Sequence, residues 1–299
     1  MTTIYKDKKI LLFFTIPAFA FVALFIFYPS IMNFYYSLFR WASYSKKMKF
    51  VGLSNIRKLF ADAVVWKAFA NNVLYAVYSL VFQVCGGLVL AHVINLYLSE
   101  RFARFSRVIL FIPAVVSITA IGLLWMIIYS PSVGFLNPLL RLVGLGMIAT
   151  DWLGNKETAM RAVIMVSQWQ YLGEMVMLFT VGLQNVPKEI YDSSRVDGAN
   201  GIQTFFHITI PMIKENILMN VTITIIGAFM VFDEVYVMTS GGPGRATEVL
   251  ATLLYKTGFR MDKMGYASAI SVLLFVITFL LSIIQLRTFN VKFKEGKEK

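Results

Sequence analysis

Long apolar runs alternate with shorter polar stretches along this chain. A helix rises about 1.5 Å per residue, so about 20 predominantly apolar residues are needed to cross a hydrocarbon core about 30 Å thick. Six segments meet that requirement: Ile10–Phe34, Asn71–Leu96, Val108–Tyr129, Ala159–Leu183, Ile217–Met238 and Gly265–Leu286. Each is predicted to be helical, because lipid offers the backbone no hydrogen-bond partners and the runs lack the alternation of a barrel strand. The expected fold is therefore an all-α membrane protein with six transmembrane helices and both termini on one side. The first run follows Lys6, Lys8 and Lys9 and contains Ala18-Phe19-Ala20, as a cleaved signal would. No charge interrupts it before Arg40, which makes it too long for a signal core and predicts an uncleaved span.

Composition agrees with lipid as the main solvent. Of 299 residues, 58% are hydrophobic and only 15% charged, and mean hydropathy is +0.69. A soluble domain carries about 25% charged residues. The net charge of +12 does not point to nucleic acid, since the basic residues are spread over every loop instead of forming one stripe with aromatics. Lys292, Lys294, Lys297 and Lys299 follow the last apolar run and read as a stop-transfer anchor beside anionic headgroups. With one cysteine, Cys85, and two histidines, His92 and His207, the chain lacks the residues for an internal disulfide, a zinc site or Cys/His catalysis. Cys85 is expected to pack as a small hydrophobe.

Basic residues keep to the loops and span ends, and their count does not decide which side of the membrane holds the termini. Three acids, Glu174, Asp233 and Glu234, fall inside spans. A carboxylate there costs several kcal/mol unless it faces a cavity or a partner, which makes these acids functional candidates. Ser167, Gln170, Tyr171 and Glu174 follow the i, i+3, i+4, i+7 spacing of one helical face. In the fifth span Thr222, Phe229, Asp233 and Tyr236 share a face, with Glu234 nearby. Polar faces on neighbouring spans suit a solvated pathway. The pathway set is Trp169, Gln170, Tyr171, Glu174, Phe229, Asp233, Glu234 and Tyr236. Its carboxylates and amide would meet hydroxyl groups, and its aromatic rings would stack on the apolar face of a sugar ring. The opposing reading is that Glu174 and Asp233 bond other helices or cap a helix end.

One loop has the marks of a surface helix. In Val186-Pro187-Lys188-Glu189-Ile190-Tyr191-Asp192-Ser193-Ser194-Arg195-Val196-Asp197-Gly198-Ala199, proline stands at a helix start, acids follow it, and glycine can take a left-handed stop. Phe205-Phe206-His207-Ile208-Thr209-Ile210-Pro211 then reads as an amphipathic turn closed by proline before the fifth span.

This loop resembles that of the permease subunits of bacterial binding-protein-dependent ABC sugar importers, the maltose and glycerol-phosphate type I branch. Asp197-Gly198-Ala199 and Ile208-Thr209-Ile210-Pro211 match the family's Asp-Gly-Ala and Ile-x-Leu-Pro blocks, while Asp192-Ser193-Ser194 replaces its Glu-Ala-Ala. Phe50-Val51-Gly52-Leu53-Ser54-Asn55, Phe111-Ile112-Pro113, Gly182-Leu183-Gln184, Phe232-Asp233 and Thr239-Ser240-Gly241-Gly242-Pro243-Gly244 resemble the sugar branch as well.

The resemblance implies that the loop is a cytoplasmic coupling helix seated in a cleft of an ATPase. Its contact residues would be Pro187, Glu189, Asp192, Ser193, Ser194, Asp197, Gly198, Ala199 and Pro211. Both termini would then be cytoplasmic, in a bacterial inner membrane. Residues 1–9 would form a cytoplasmic N-terminus, 10–69 the first span and an external loop, 70–288 the transporter domain with coupling loop 185–216, and 289–299 the basic tail. The chain has no Gly-x-x-x-x-Gly-Lys-Ser/Thr loop, so it is expected to be no enzyme and to bind no cofactor, with ATP and Mg held by an ATPase dimer. The other implied partners are a second homologous permease chain and an external sugar-binding protein. The implied function is import of a neutral sugar by alternating access. Import of glycerol phosphate or a related polyol is the nearest alternative, and an ion-coupled secondary transporter using the three acids is a more distant one.

Overall fold

The computed structural model describes residues 8–45 and 47–288, so Lys6 and the four lysines of the tail lie outside the described residues. Helix α1 covers Leu12–Ser37, and its apolar surface is open to the surroundings. A short antiparallel pair follows, β1 Phe39–Arg40 and β2 Lys49–Phe50, with Phe39 opposite Phe50 and Arg40 opposite Lys49. The all-α expectation misses this pair, because two-residue strands carry too little alternation to be legible. Helix α2, Ser54–Ala61, occupies part of the loop that follows. Helix α3, Ala63–Tyr97, starts earlier than the apolar pattern indicates and contains a π-helical stretch at Leu80–Gly86.

The third expected span is broken. Helix α4, Glu100–Val115, and helix α5, Ile118–Tyr129, meet at 94°. Pro113 has no N–H and crowds the carbonyl one turn before it, which weakens the helix there. Val116 and Ser117 then take extended backbone angles. Helix α6, Leu136–Leu142, lies in the next loop, and α7, Ala159–Gln184, is the fourth expected span. Helix α8, Lys188–Val196, and α9, Gly201–Thr204, form the surface loop, and Phe205–Met212 continues helically instead of as a simple turn.

The fifth expected span is also interrupted. Helix α10, Lys214–Met230, ends before Val231 and Phe232, and α11, Asp233–Met238, follows this two-residue interruption within the same span. Carbonyls at the end of α10 lose their helical partners there. Asn72 supplies one: its Nδ2 donates to the Ala228 carbonyl at 2.8 Å, while its Oδ1 accepts from Leu250 N at 3.0 Å. Helix α12, Leu250–Tyr255, and α13, Met264–Thr288, complete the chain.

Among the described residues, four helical segments are long and apolar enough to cross a membrane, and a fifth crossing arises if the bent α4–α5 pair is one span. Helix α7 has the length but is not among them; it carries Arg161, Gln168, Gln170 and Glu174 along a mostly buried body. A helix wrapped by protein needs no uniformly apolar surface.

The chain divides into two compact units. Among the described residues, one comprises 8–45 and 47–63 with Leu254–Val276, and the other Val64–Leu253 with 277–288. In the first unit, Asn55 donates to the carbonyls of Ser37 and Phe39, Asn33 donates to Ser271, and Tyr266 donates to Asp62. The second unit has a core of Val84, Leu88, Ala91, Val176, Phe179 and Leu183, which brings α3 against α7. Helices α4 and α7 touch backbone to backbone at Gly173, where an added Cβ would lie 1.8 Å from the Leu110 carbonyl. Only glycine permits that approach.

Candidate functional site

Within the second unit, α3, α7, α10 and α11 enclose a cavity of about 310 Å³. Helix α7 contributes Ser167, Tyr171 and Glu174 from one face, as their spacing predicts. Helix α3 contributes Tyr75, Ser79 and Gln83, the last from its π-helical stretch. The break before α11 brings Asp233 and Glu234 to the same cavity in that helix's first turn, where orphan N–H groups favour negative charge.

The floor of the cavity is a buried polar group. Tyr75 Oη donates to Glu234 Oε1 at 3.4 Å and is hydrogen bonded to Ser167 Oγ. Glu234 is only 6% exposed, whereas Glu174 and Asp233 are open. Gln168 Nε2 donates to Ser79 Oγ at 3.3 Å and steadies one wall. The lining has three carboxylates, two tyrosines and no Lys, Arg or His. It is therefore rich in acceptors for hydroxyl donors, with aromatic surface beside them.

Four of the eight predicted pathway residues, Tyr171, Glu174, Asp233 and Glu234, meet in this cavity, and the other four do not line it. Gln170 is buried and its Nε2 donates to the Val116 carbonyl at 3.2 Å, meeting a group left over at the α4–α5 bend. Trp169 faces outward against Trp125, with ring centroids 5.6 Å apart. Phe229 is buried against Phe69, and Tyr236 stacks on Phe232. The expected shared face of Thr222, Phe229, Asp233 and Tyr236 assumes one continuous helix, and the break at Val231 and Phe232 ends that register. Tyr75, Ser79 and Gln83 of α3 and Thr224 of α10 are polar lining residues that sequence reasoning missed; for the α3 residues their i, i+4, i+8 spacing was the available signal.

The second candidate is α8. Pro187 stands just before its first residue, Glu189 lies in its first turn, and Gly198 ends it at φ +79° with its N–H donating to the Arg195 carbonyl. The inner face is held by Tyr191, which packs with Leu183, Val186 and Ile213. Tyr191 Oη and Thr209 Oγ1 lie 3.4 Å apart, and Thr209 Oγ1 is 3.0 Å from His92 Nδ1 on α3. Ser194 also turns inward, donating to the Tyr191 carbonyl at 2.8 Å. Pro187, Glu189, Asp192, Ser193, Asp197, Gly198 and Pro211 are exposed, and Ala199 is half-buried. Of the predicted contact set, Ser194 is thus the member directed into the protein.

This bundle, with its acidic cavity and small surface helix, is the fold of an ABC importer permease. The chain belongs to the binding-protein-dependent transport system inner membrane component family, whose pattern matches residues 83–288. It is 47% identical over 98% of its length to the probable ABC transporter permease protein YurN of Bacillus subtilis, covering 99% of that chain. Likeness to the arabinooligosaccharides transport system permease protein AraP of the same organism is 32%, over 95% of this chain and 89% of that one. The fold is also that of a chain in the crystal structure of a bacterial alginate ABC transporter in complex with alginate pentasaccharide-bound periplasmic protein. That match has a TM-score of 0.81 at 21% identity, over 93% of this chain and 92% of the other. The chain is accordingly a transport permease of the inner membrane, and its relatives are permease subunits, not enzymes.

Proposed function

We propose that this permease carries a neutral sugar, most naturally an oligosaccharide, through the cavity formed by α3, α7, α10 and α11. The observation that carries this reading is a lining of three carboxylates and two tyrosines without a basic side chain. Such a surface accepts hydrogen bonds from many hydroxyls and offers rings to the apolar face of a pyranose, while repelling anions. Names of relatives such as the arabinooligosaccharide permease support the same class.

In this reading α7 is the sixth span and both termini are cytoplasmic. Helix α8 is the coupling helix, reaching an ATPase dimer that holds ATP and Mg. A second homologous permease chain completes the pathway, and an external binding protein delivers the sugar. Closure of the ATPase moves α8, and the Tyr191–Thr209–His92 contacts carry that movement to α3, so access alternates between the two sides. The chain itself makes and breaks no covalent bond.

Reconstituting the permease with its ATPase, second permease and binding protein in liposomes tests the proposal. Glu174→Ala and Asp233→Ala should each lower oligosaccharide uptake about tenfold, the effect of losing roughly 1.4 kcal/mol of binding, with the complex still assembled. Unaltered uptake in both variants would return these acids to a structural role. ATP-dependent uptake of an anionic substrate in preference to neutral sugars would overturn the substrate class.

A further inference from the structure

A second cavity, of about 440 Å³, lies wholly within the first unit and has the opposite character. Arg40, Lys47, Lys49, Lys58 and Lys263 line it, together with Trp41. The one carboxylate in the lining is Asp262, and it is already engaged: Ser43 donates to its Oδ1 from N at 2.7 Å and from Oγ at 2.6 Å, and Tyr44 N donates to Oδ2 at 3.4 Å. Among the described residues, ion pairs within 4.0 Å join Arg104 to Glu100 and Arg195 to Asp192, and none involves a lysine or arginine of this cavity. Lys58 lies 4.8 Å above the Tyr266 ring, and the indole N–H of Trp41 is buried without an acceptor.

The walls are preformed. Asn55 ties the carbonyls of Ser37 and Phe39 together, and Gly265 presses against the Phe39 carbonyl so closely that a Cβ would lie 1.8 Å from it. Location adds the second argument. The cavity lies just past the last residue of α1 and around the first residues of α13, both apolar helices long enough to cross a membrane. Residues at the ends of such helices sit at headgroup depth. In the last turns of α1 before it, where apolar residues are exposed all around the helix, Phe27, Ile31, Phe34 and Tyr35 share one face by their i, i+4, i+7, i+8 spacing, as a lipid-facing strip would.

We propose that this basic cavity binds the phosphate of an anionic phospholipid, whose acyl chains lie along that face of α1. The cations supply charge, Trp41 supplies an aromatic wall, and the apolar strip distinguishes a lipid from a free anion or an acidic protein surface.

The full-length protein in neutral detergent is equilibrated with mixed micelles of phosphatidylglycerol and phosphatidylcholine, and retained lipid is measured by native mass spectrometry. Phosphatidylglycerol should be retained over phosphatidylcholine, and Lys47→Gln, Lys49→Gln and Lys263→Gln should each reduce retention about fivefold. Arg101→Gln with Arg104→Gln, outside the cavity, should leave retention unchanged. Equal retention of the two lipids would overturn the proposal, as would equal losses in the cavity and control variants. Displacement of the lipid by millimolar inorganic phosphate would assign the cavity to a free anion. Undiminished lipid retention in the lysine variants, with loss of binding-protein affinity, would assign it to an acidic protein. Lys47→Gln changes an exposed loop residue, so the comparison survives if another of the variants fails to fold.

Discussion

Individual side chains in this protein settle questions that a span-by-span description leaves open. Gly173 allows α4 and α7 to touch, since any Cβ there collides with the Leu110 carbonyl. Gly173→Val should destabilise the protein by about 2 kcal/mol or more, because backbone cannot yield as a flexible side chain would. Thermal unfolding in detergent measures it, with Gly227→Ala as control: nothing lies within 4 Å of a Cβ at Gly227, and replacing a helical glycine there should be neutral or mildly stabilising. Asp262 offers a pH test. Hydrogen bonds from Ser43 and Tyr44 hold its carboxyl below the usual carboxylate range. Its tie to the loop is therefore fully present above that range and is lost as pH falls through the lowered value. Hydrogen-exchange protection factors at Ser43 and Tyr44 should follow that course, and Asp262→Asn should lower them even at neutral pH. Of these residues the sequence marks little: Gly173 is one glycine in an apolar run, and its meeting with Leu110 is a contact between distant segments.

The helices show where periodicity succeeds and where it fails. Ser167, Tyr171 and Glu174 share a face on α7 as their spacing demands, because that helix is unbroken from Ala159 to Gln184. The same reasoning misplaces Phe229 and Tyr236, because the backbone leaves the helix at Val231 and Phe232. Asn72 makes that break tolerable by bonding the Ala228 carbonyl, and Gln170 does the same for Val116 at the α4–α5 bend. Gln170→Leu leaves a carbonyl without its donor, which should cost about 1–3 kcal/mol and loosen the bend. A spin-label distance between α4 and α5 should broaden if so, and an unchanged distribution would show that Pro113 alone holds the angle. Helix α8 was legible from Pro187, Glu189 and Gly198, since caps are local. The inward turn of Ser194 was not, because it depends on how Tyr191 anchors the helix.

At the scale of the whole molecule, the proposed coupling route runs from Tyr191 on α8 through Thr209 to His92. Thr209→Val keeps the shape and removes the hydroxyl that both partners use. It should cost about 1 kcal/mol in stability and reduce uptake more than ATP hydrolysis in the reconstituted transporter, a ratio that a purely structural loss would leave constant. Gly198→Ala is a milder companion: its φ of +79° strains any other residue, but open space surrounds the Cβ. A cost of about 1 kcal/mol is expected from backbone strain alone, with assembly on the ATPase retained. Apolar runs long enough to cross a lipid bilayer, three acids within them and a capped loop helix were enough to determine a membrane protein with acidic positions in its spans and a surface helix near Lys188–Val196. These features act over one to four turns, where composition and periodicity speak directly. Tertiary structure alone decided that Tyr75 and Gln83 join the acids, that Gln170 and Phe229 do not, and that five cations share one cavity. Those outcomes depend on bends and close contacts between segments far apart in the chain, and local periodicity carries no information about them.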